Sequence, residues 1–116
     1  MASFAVLISG RGTNLAALAR AVADGRLNAR LAFAAGDNPE AAGLEIARKA
    51  AIPTFVLDYG RGKKKAEESL ARLCADEGAD WIVLAGFMRI ISPSFVAARQ
   101  GRIVNIHPSL LPAFPG

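Results

Sequence analysis

Apolar residues in this chain fall in short unbroken runs, and between them lie segments of helical period. Phe4-Ala5-Val6-Leu7-Ile8 is apolar at every position, as expected of a strand covered on both faces. Leu15, Leu18 and Val22 then recur at helical spacing until Asp24-Gly25 stops the pattern. Ala29 to Ala35 predicts a second buried strand. Asn38 and Pro39 have the chemistry of an N-cap and first turn, opening a helix over Leu44 and Ala47 with Glu45 and Lys49 as an exposed i,i+4 pair. Ile52-Pro53 ends that helix. Thr54 to Leu57 predicts a short strand, followed by a glycine-rich turn, a helix from about Lys64 to Glu77, and the strand Trp81-Ile82-Val83-Leu84. Ser92-Pro93 caps a short helix through Arg99. Arg102 to His107 then reads as a last strand, closed by Pro108, which cannot donate to a sheet ladder.

Wholly apolar strands alternating with helices predict an α/β fold: a mostly parallel sheet with helices on both faces. In such sheets ligands collect outside the carboxyl ends of the strands. Ser9-Gly10, Ala85-Gly86 and Asn105 to His107 all fall there, so three distant segments are expected to meet on one sheet edge. No repeat, low-complexity tract or linker divides residues 1–116, which read as a single domain or subdomain.

With 53% hydrophobic residues the chain can build a real core. No apolar run is long enough to span a membrane and no signal peptide precedes the first strand, so a soluble, cytoplasmic protein without a membrane partner is expected. Cys74, the only cysteine, shares a helical stripe with Leu70 and Leu73. Burial is its expected role, and a disulfide framework is excluded. The formal charge of +4 comes from basic residues scattered along the chain apart from Lys63-Lys64-Lys65, with no interleaved aromatic residues. That pattern favours small anionic ligands over nucleic acid, and the lysine run suits either a ligand contact or a solvated helix entrance.

Candidate chemistry concentrates at the three segments. Asn105 and His107, the only histidine, lie two residues apart on a strand and so share a face, with Val104 and Ile106 on the other. They form either an acid/base and carbonyl-holding pair or a satisfied histidine at a strand end. Ser9-Gly10-Arg11-Gly12-Thr13-Asn14 is a glycine turn into a helix, suited to a phosphate or simply to a tight turn. A bulky side chain at Gly12 is expected to exclude such a ligand. The turn lacks the third glycine of a dinucleotide fingerprint, since Leu15 stands there, although Asp37 follows the second strand where a ribose-binding acid would be. Gly60-Arg61-Gly62-Lys63 fails as a P-loop, with Leu57 and Lys64 at the positions of the first glycine and the Ser/Thr. Leu84 to Ser92 places Phe87, Met88, Ile90 and Ile91 in a turn that can line a slot for a flat heteroaromatic ring or close the core beneath the next helix. A tryptophan at Ile91 is expected to fill that slot. One Cys and one His far apart cannot build a zinc site, and no metal is expected.

Taken together, SGRGTN at Ser9 to Asn14, LAGFMRIISP at Leu84 to Pro93 and NIHPSLLPAFPG at Asn105 to Gly116 resemble the phosphoribosylglycinamide formyltransferases, folate-dependent enzymes of purine synthesis. The resemblance runs in order along essentially the whole chain, and its last two motifs are specific to folate formyl-transfer enzymes. It implies a Rossmann-like formyltransferase fold. It also implies formyl transfer from 10-formyltetrahydrofolate, a reduced-folate co-substrate, to the amine of glycinamide ribonucleotide. Gly12, Thr13 and Asn14 would cradle the ribonucleotide phosphate, while Met88, Arg89, Ile90 and Ile91 would border the pterin, Arg89 mainly through its backbone. Asn105 would hold the formyl oxygen and His107 would handle protons. Lys63 falls where the family commonly has an arginine near the folate, so the charge is kept and the planar fork is lost.

In the family, a later segment carries an aspartate that orients the catalytic histidine. The chain stops after the histidine loop, and three prolines around Leu110, Leu111 and Phe114 offer no helix to cover the last strand. The expectation is the N-terminal part of a formyltransferase, incomplete at the C-terminus and partnered by the missing segment or a second chain. Two other classes stay open: the nucleotide-binding half of a Rossmann dehydrogenase, and a fragment that binds phosphate compounds without catalysis.

Overall fold

The computed structural model describes residues Met1 to Ile106. Strands and helices alternate as β1 Ala2–Ile8, α1 Thr13–Ala23, β2 Ala29–Gly36, α2 Ala42–Lys49, β3 Thr54–Val56, a 3₁₀ turn Tyr59–Arg61, α3 Lys63–Glu77, β4 Trp81–Leu84, α4 Pro93–Ala98 and β5 Ile103–Asn105. Each expected element has its counterpart; of the last strand, expected over Arg102 to His107, the structure shows Ile103–Asn105. The five strands form one sheet in the order β3-β2-β1-β4-β5, and all its pairings are parallel. The order reverses between β1 and β4, which creates a crevice at their carboxyl ends.

Two apolar layers flank the sheet, because each buried strand sends alternate side chains to opposite faces. Val6 and Ile8 of β1 pack with Leu15 of α1 and with Leu44 and Ala47 of α2. Ala5 and Leu7 face the other way, toward Ala66, Leu70 and Cys74 of α3 and Phe95 of α4. Leu7, Phe33, Leu44 and Leu70 are fully buried, each contributing about 1.5–3 kcal/mol of transfer free energy. Cys74 is buried as expected. On β5, Ile103 packs on the α3 side. Val104 and Ile106 turn to the opposite face, beside Phe4, Leu18 and Trp81, in an apolar cleft; Val104 keeps 42% of its surface exposed.

Two local expectations fail for physical reasons. Asn38 does not cap α2; its Oδ1 accepts the Glu40 amide at 2.9 Å in a side-chain turn, and the helix starts later, after Ala41. The delay lets Gly43 donate its amide to the Gly10 carbonyl at 3.0 Å, pinning α2 against the turn after β1. Glu45 pairs with Arg48 at 3.0 Å rather than with Lys49, since i,i+3 neighbours share a helix face as well as i,i+4 ones.

Candidate active site

The turn from β1 into α1 is built on Gly12, whose φ of +80° a side chain would strain. α1 has no side-chain cap and no acidic residue in its first turn. The leading amides of Thr13, Asn14 and Leu15 therefore lack the usual competitor for an anion at a helix start. Arg11, Gly12, Thr13 and Asn14 face Ala85 and Gly86 across a cleft of about 210 Å³, which lies in the β1/β4 crevice. Asn14 is only 7% exposed. Gly12, Thr13 and Asn14, expected from the sequence to cradle a phosphate, thus line this cleft.

Gly12 corrects one expectation. A Cβ there would lie 2.3 Å from the Gly43 Cα of α2. Its glycine is required by the contact of two helix starts, so a bulky residue breaks the α1/α2 junction instead of acting on a ligand alone.

The segment after β4 crosses the same edge. Met88 and Ile90 are 80% and 78% exposed, whereas Phe87 and Ile91 pack on the core beneath α3 and α4. The slot expectation is corrected accordingly: Met88 and Ile90 present the free apolar surface, and a tryptophan at Ile91 would disturb the core. Two main-chain amides of the segment, one midway and one at its end, are held by side chains. Met88 donates to Ser9 Oγ at 2.8 Å, and Ser92 donates to Glu67 Oε2 at 2.8 Å. Arg89 contributes more than backbone. Its Nε lies 2.8 Å from Asp37 Oδ2, and its guanidinium carbon sits 4.7 Å above the Tyr59 ring.

Asn105 is paired in register with Leu84, which sets it at the β4 terminus beside the segment. It is exposed and on the strand face away from Val104 and Ile106, as the alternation requires. Lys63 opens α3, one turn before Glu67, so the Glu67–Ser92 bond brings its end of the helix toward the same segment. The lysines of that first turn oppose the helix dipole, which makes them poor helix stabilisers and good neighbours for an anion. His107 lies outside the described residues. Among those described, no group of three or more His, Cys, Asp or Glu side chains gathers as a metal site would need.

Burial and two nearby carboxylates, Glu67 and Asp37, push the Tyr59 hydroxyl above its ordinary range, with Arg89 opposing them. Tyr59, Glu67 and Gly43 were not singled out by the sequence reading. Glu67 could have been found, since a charged residue adjoining the apolar stripe Ala66, Leu70 and Cys74 calls for a buried partner. Tyr59 carries no such signal. The larger cleft of about 660 Å³, lined by Met1, Val22, Leu27, Leu31 and Ile52, lies at the amino ends of β1 and β2. Ligands of such sheets bind at the opposite edge.

A parallel sheet reversing at β1/β4, with an uncapped glycine turn and an apolar segment at that crevice, defines a Rossmann-like α/β protein. Residues 2–116 match the formyl transferase family, and the chain belongs to it. It is 41% identical over 113 residues to the phosphoribosylglycinamide formyltransferase of Escherichia coli, covering 96% of this chain and 53% of that protein. It is 42% identical over 117 residues to the human trifunctional purine biosynthetic protein adenosine-3, covering 99% of this chain and 12% of that protein. A glycinamide ribonucleotide transformylase structure from Geobacillus kaustophilus superimposes with a TM-score of 0.88 at 44% identity, over all of this chain and 63% of the other. The chain thus spans about half the length of its bacterial relative. Nothing favours the dehydrogenase alternative: Leu15 is fully buried where a glycine would be needed, and Asp37 is committed to Arg89.

Proposed function

We propose that this chain carries the N-terminal half-site of a phosphoribosylglycinamide formyltransferase, residues 1–116 acting as one unit of it. The reaction moves a formyl group from 10-formyltetrahydrofolate to the primary amine of glycinamide ribonucleotide, in the cytoplasm. The observation that carries this reading is the Ser9 Oγ to Met88 amide bond, which joins the uncapped turn and the apolar segment edge to edge. A phosphate held at one and a flat ring held at the other would bring their attached groups together above β4.

Thr13 and Asn14 would bind the ribonucleotide phosphate through the start of α1, with Gly12 giving close approach. Met88 and Ile90 would cover the pterin, with Arg89 and Ile91 supplying main chain, while Lys63 would attract the carboxylates of the folate tail as a point charge. Attack of the amine on the formyl carbon builds a tetrahedral centre whose oxygen gains negative charge. The Asn105 side-chain amide is the donor we assign to that oxygen. His107 would pass the proton lost by the attacking amine to the departing folate nitrogen, directly or through water, since its reference pKa of about 6.5 suits exchange near neutrality. An aspartate to orient this histidine would come from the half of the relatives that this chain does not span.

The test is a steady-state formyl-transfer assay on the chain and on a chimera completed with the remaining half of the E. coli relative. The chimera is expected to turn over and the chain alone to be weak or inactive. In the chimera, His107→Ala should lower kcat by roughly two to four powers of ten with much smaller changes in ligand affinity. Binding of both ligands with no turnover in either form would instead support the non-catalytic class.

A further inference from the structure

Between Leu84 and Pro93 the chain has no regular secondary structure, yet residues following two other strands converge on one side chain in its middle. Arg89 stretches back to Asp37, the residue after β2, and lies over Tyr59, the third residue after the end of β3. Asp37 is 11% exposed at its side chain. Tyr59 in turn packs its ring 6.1 Å from Phe87, inside the same segment. The guanidinium is therefore fixed by an ion pair through its Nε and by a ring beneath its plane. Asp37 Oδ1 and the Tyr59 hydroxyl are both buried without a protein hydrogen-bond partner among the described residues, and such orphans cost stability. A cluster kept at that cost is a candidate for function.

We propose that Asp37 and Tyr59 are positioning residues for reduced-folate binding: by clamping Arg89 they set the main chain of Met88 to Ile91. The inference rests on the assignment of that segment to the folate. Neither residue need touch the ligand. Ser9 and Glu67 fix the segment through Met88 and Ser92, and the clamp fixes Arg89 between them. With the clamp lost, Met88 and Ile90 keep their apolar side chains, but the backbone that presents them is released.

Asp37→Asn removes the charge at constant shape, and Tyr59→Leu removes the ring beneath the guanidinium; Tyr59→Phe keeps the ring and serves as control. For the first two variants, calorimetric titration with tetrahydrofolate should give a Kd raised roughly tenfold, with affinity for glycinamide ribonucleotide unchanged. Tyr59→Phe should bind as wild type. Backbone ¹⁵N order parameters at residues 88–91, measured without ligand, should fall in Asp37→Asn and Tyr59→Leu and hold in Tyr59→Phe. Equal loss of both affinities would mean a general structural role and overturn the proposal, as would unchanged order parameters. Wild-type protein that fails to bind tetrahydrofolate would overturn the folate assignment itself, while the order parameters would still decide whether the clamp exists.

Discussion

Gly12 and Gly10 stand two residues apart in one turn and carry opposite expectations. A Cβ on Gly12 meets the Gly43 backbone at 2.3 Å, whereas a Cβ on Gly10 meets nothing within 4 Å. Gly12→Ala should cost at least about 2 kcal/mol, from overpacking plus an unfavourable positive φ. Gly10→Ala should stay within about 0.5 kcal/mol of wild type. Urea denaturation midpoints check the pair, and similar losses at both would contradict the helix-junction role. Phosphate binding is better probed at Asn14, where Asn14→Asp changes charge at nearly constant shape. It should lower affinity for glycinamide ribonucleotide about tenfold or more, through repulsion at close range, with folate affinity little changed. Cys74 supplies a pH test. Burial raises its thiol pKa, with Arg99 opposing weakly, so the native state holds the proton to higher pH than the unfolded chain does. Stability from this group is complete below the ordinary thiol value of 9.0 and declines as pH rises through and beyond it. Cys74→Ala should flatten the alkaline limb of the stability profile between pH 8 and 10; an unchanged slope would assign that limb to other groups.

The elements were readable in the sequence because burial dictates composition. Phe4 to Ile8 of β1, Leu31 to Ala35 of β2 and the whole of β4 lie between two apolar layers and so are apolar at every position, and Gly25, Gly78 and Ser92-Pro93 punctuate the helices between the strands. What the sequence could not give was the start of α2, because Asn38 bonds locally and the helix answers to a tertiary contact with Gly10. The segment after β4 shows the same division. Its apolar character was plain, but which side chains face solvent depends on Phe87 and Ile91 finding the core, a fact of packing rather than of period. The clamp on Arg89 joins residues 52 positions apart and leaves no local trace. From this geometry, Met88→Ser and Ile90→Ser should weaken tetrahydrofolate binding severalfold each by removing exposed apolar cover. Thermal stability should hold, since neither side chain is packed. A drop of several degrees in Tm with unchanged folate affinity would reverse the assignment. At the end of α2, Ala51 adopts φ +62°. Ala51→Gly should therefore raise stability by up to about 1 kcal/mol, read by the denaturation midpoint.

At the scale of the whole molecule, the sheet order brings the ends of β1, β4 and β5 side by side and spreads a net charge of +4 over a chain that we assign to anionic ligands. Affinity for glycinamide ribonucleotide should fall as salt rises, with a shallow dependence set by its few phosphate charges rather than the steep one of a polyanion. The family match establishes lineage, and the crevice at β1/β4 locates where ligands would meet. Calorimetric titration of tetrahydrofolate into the chain saturated with glycinamide ribonucleotide, repeated with excess NAD, asks whether that crevice holds both substrates at once. Both ligands are expected to bind one per chain in a ternary complex that NAD leaves undisturbed. Mutually exclusive binding of the two, or displacement of either by NAD, would contradict a formyl-transfer site at this edge of the sheet.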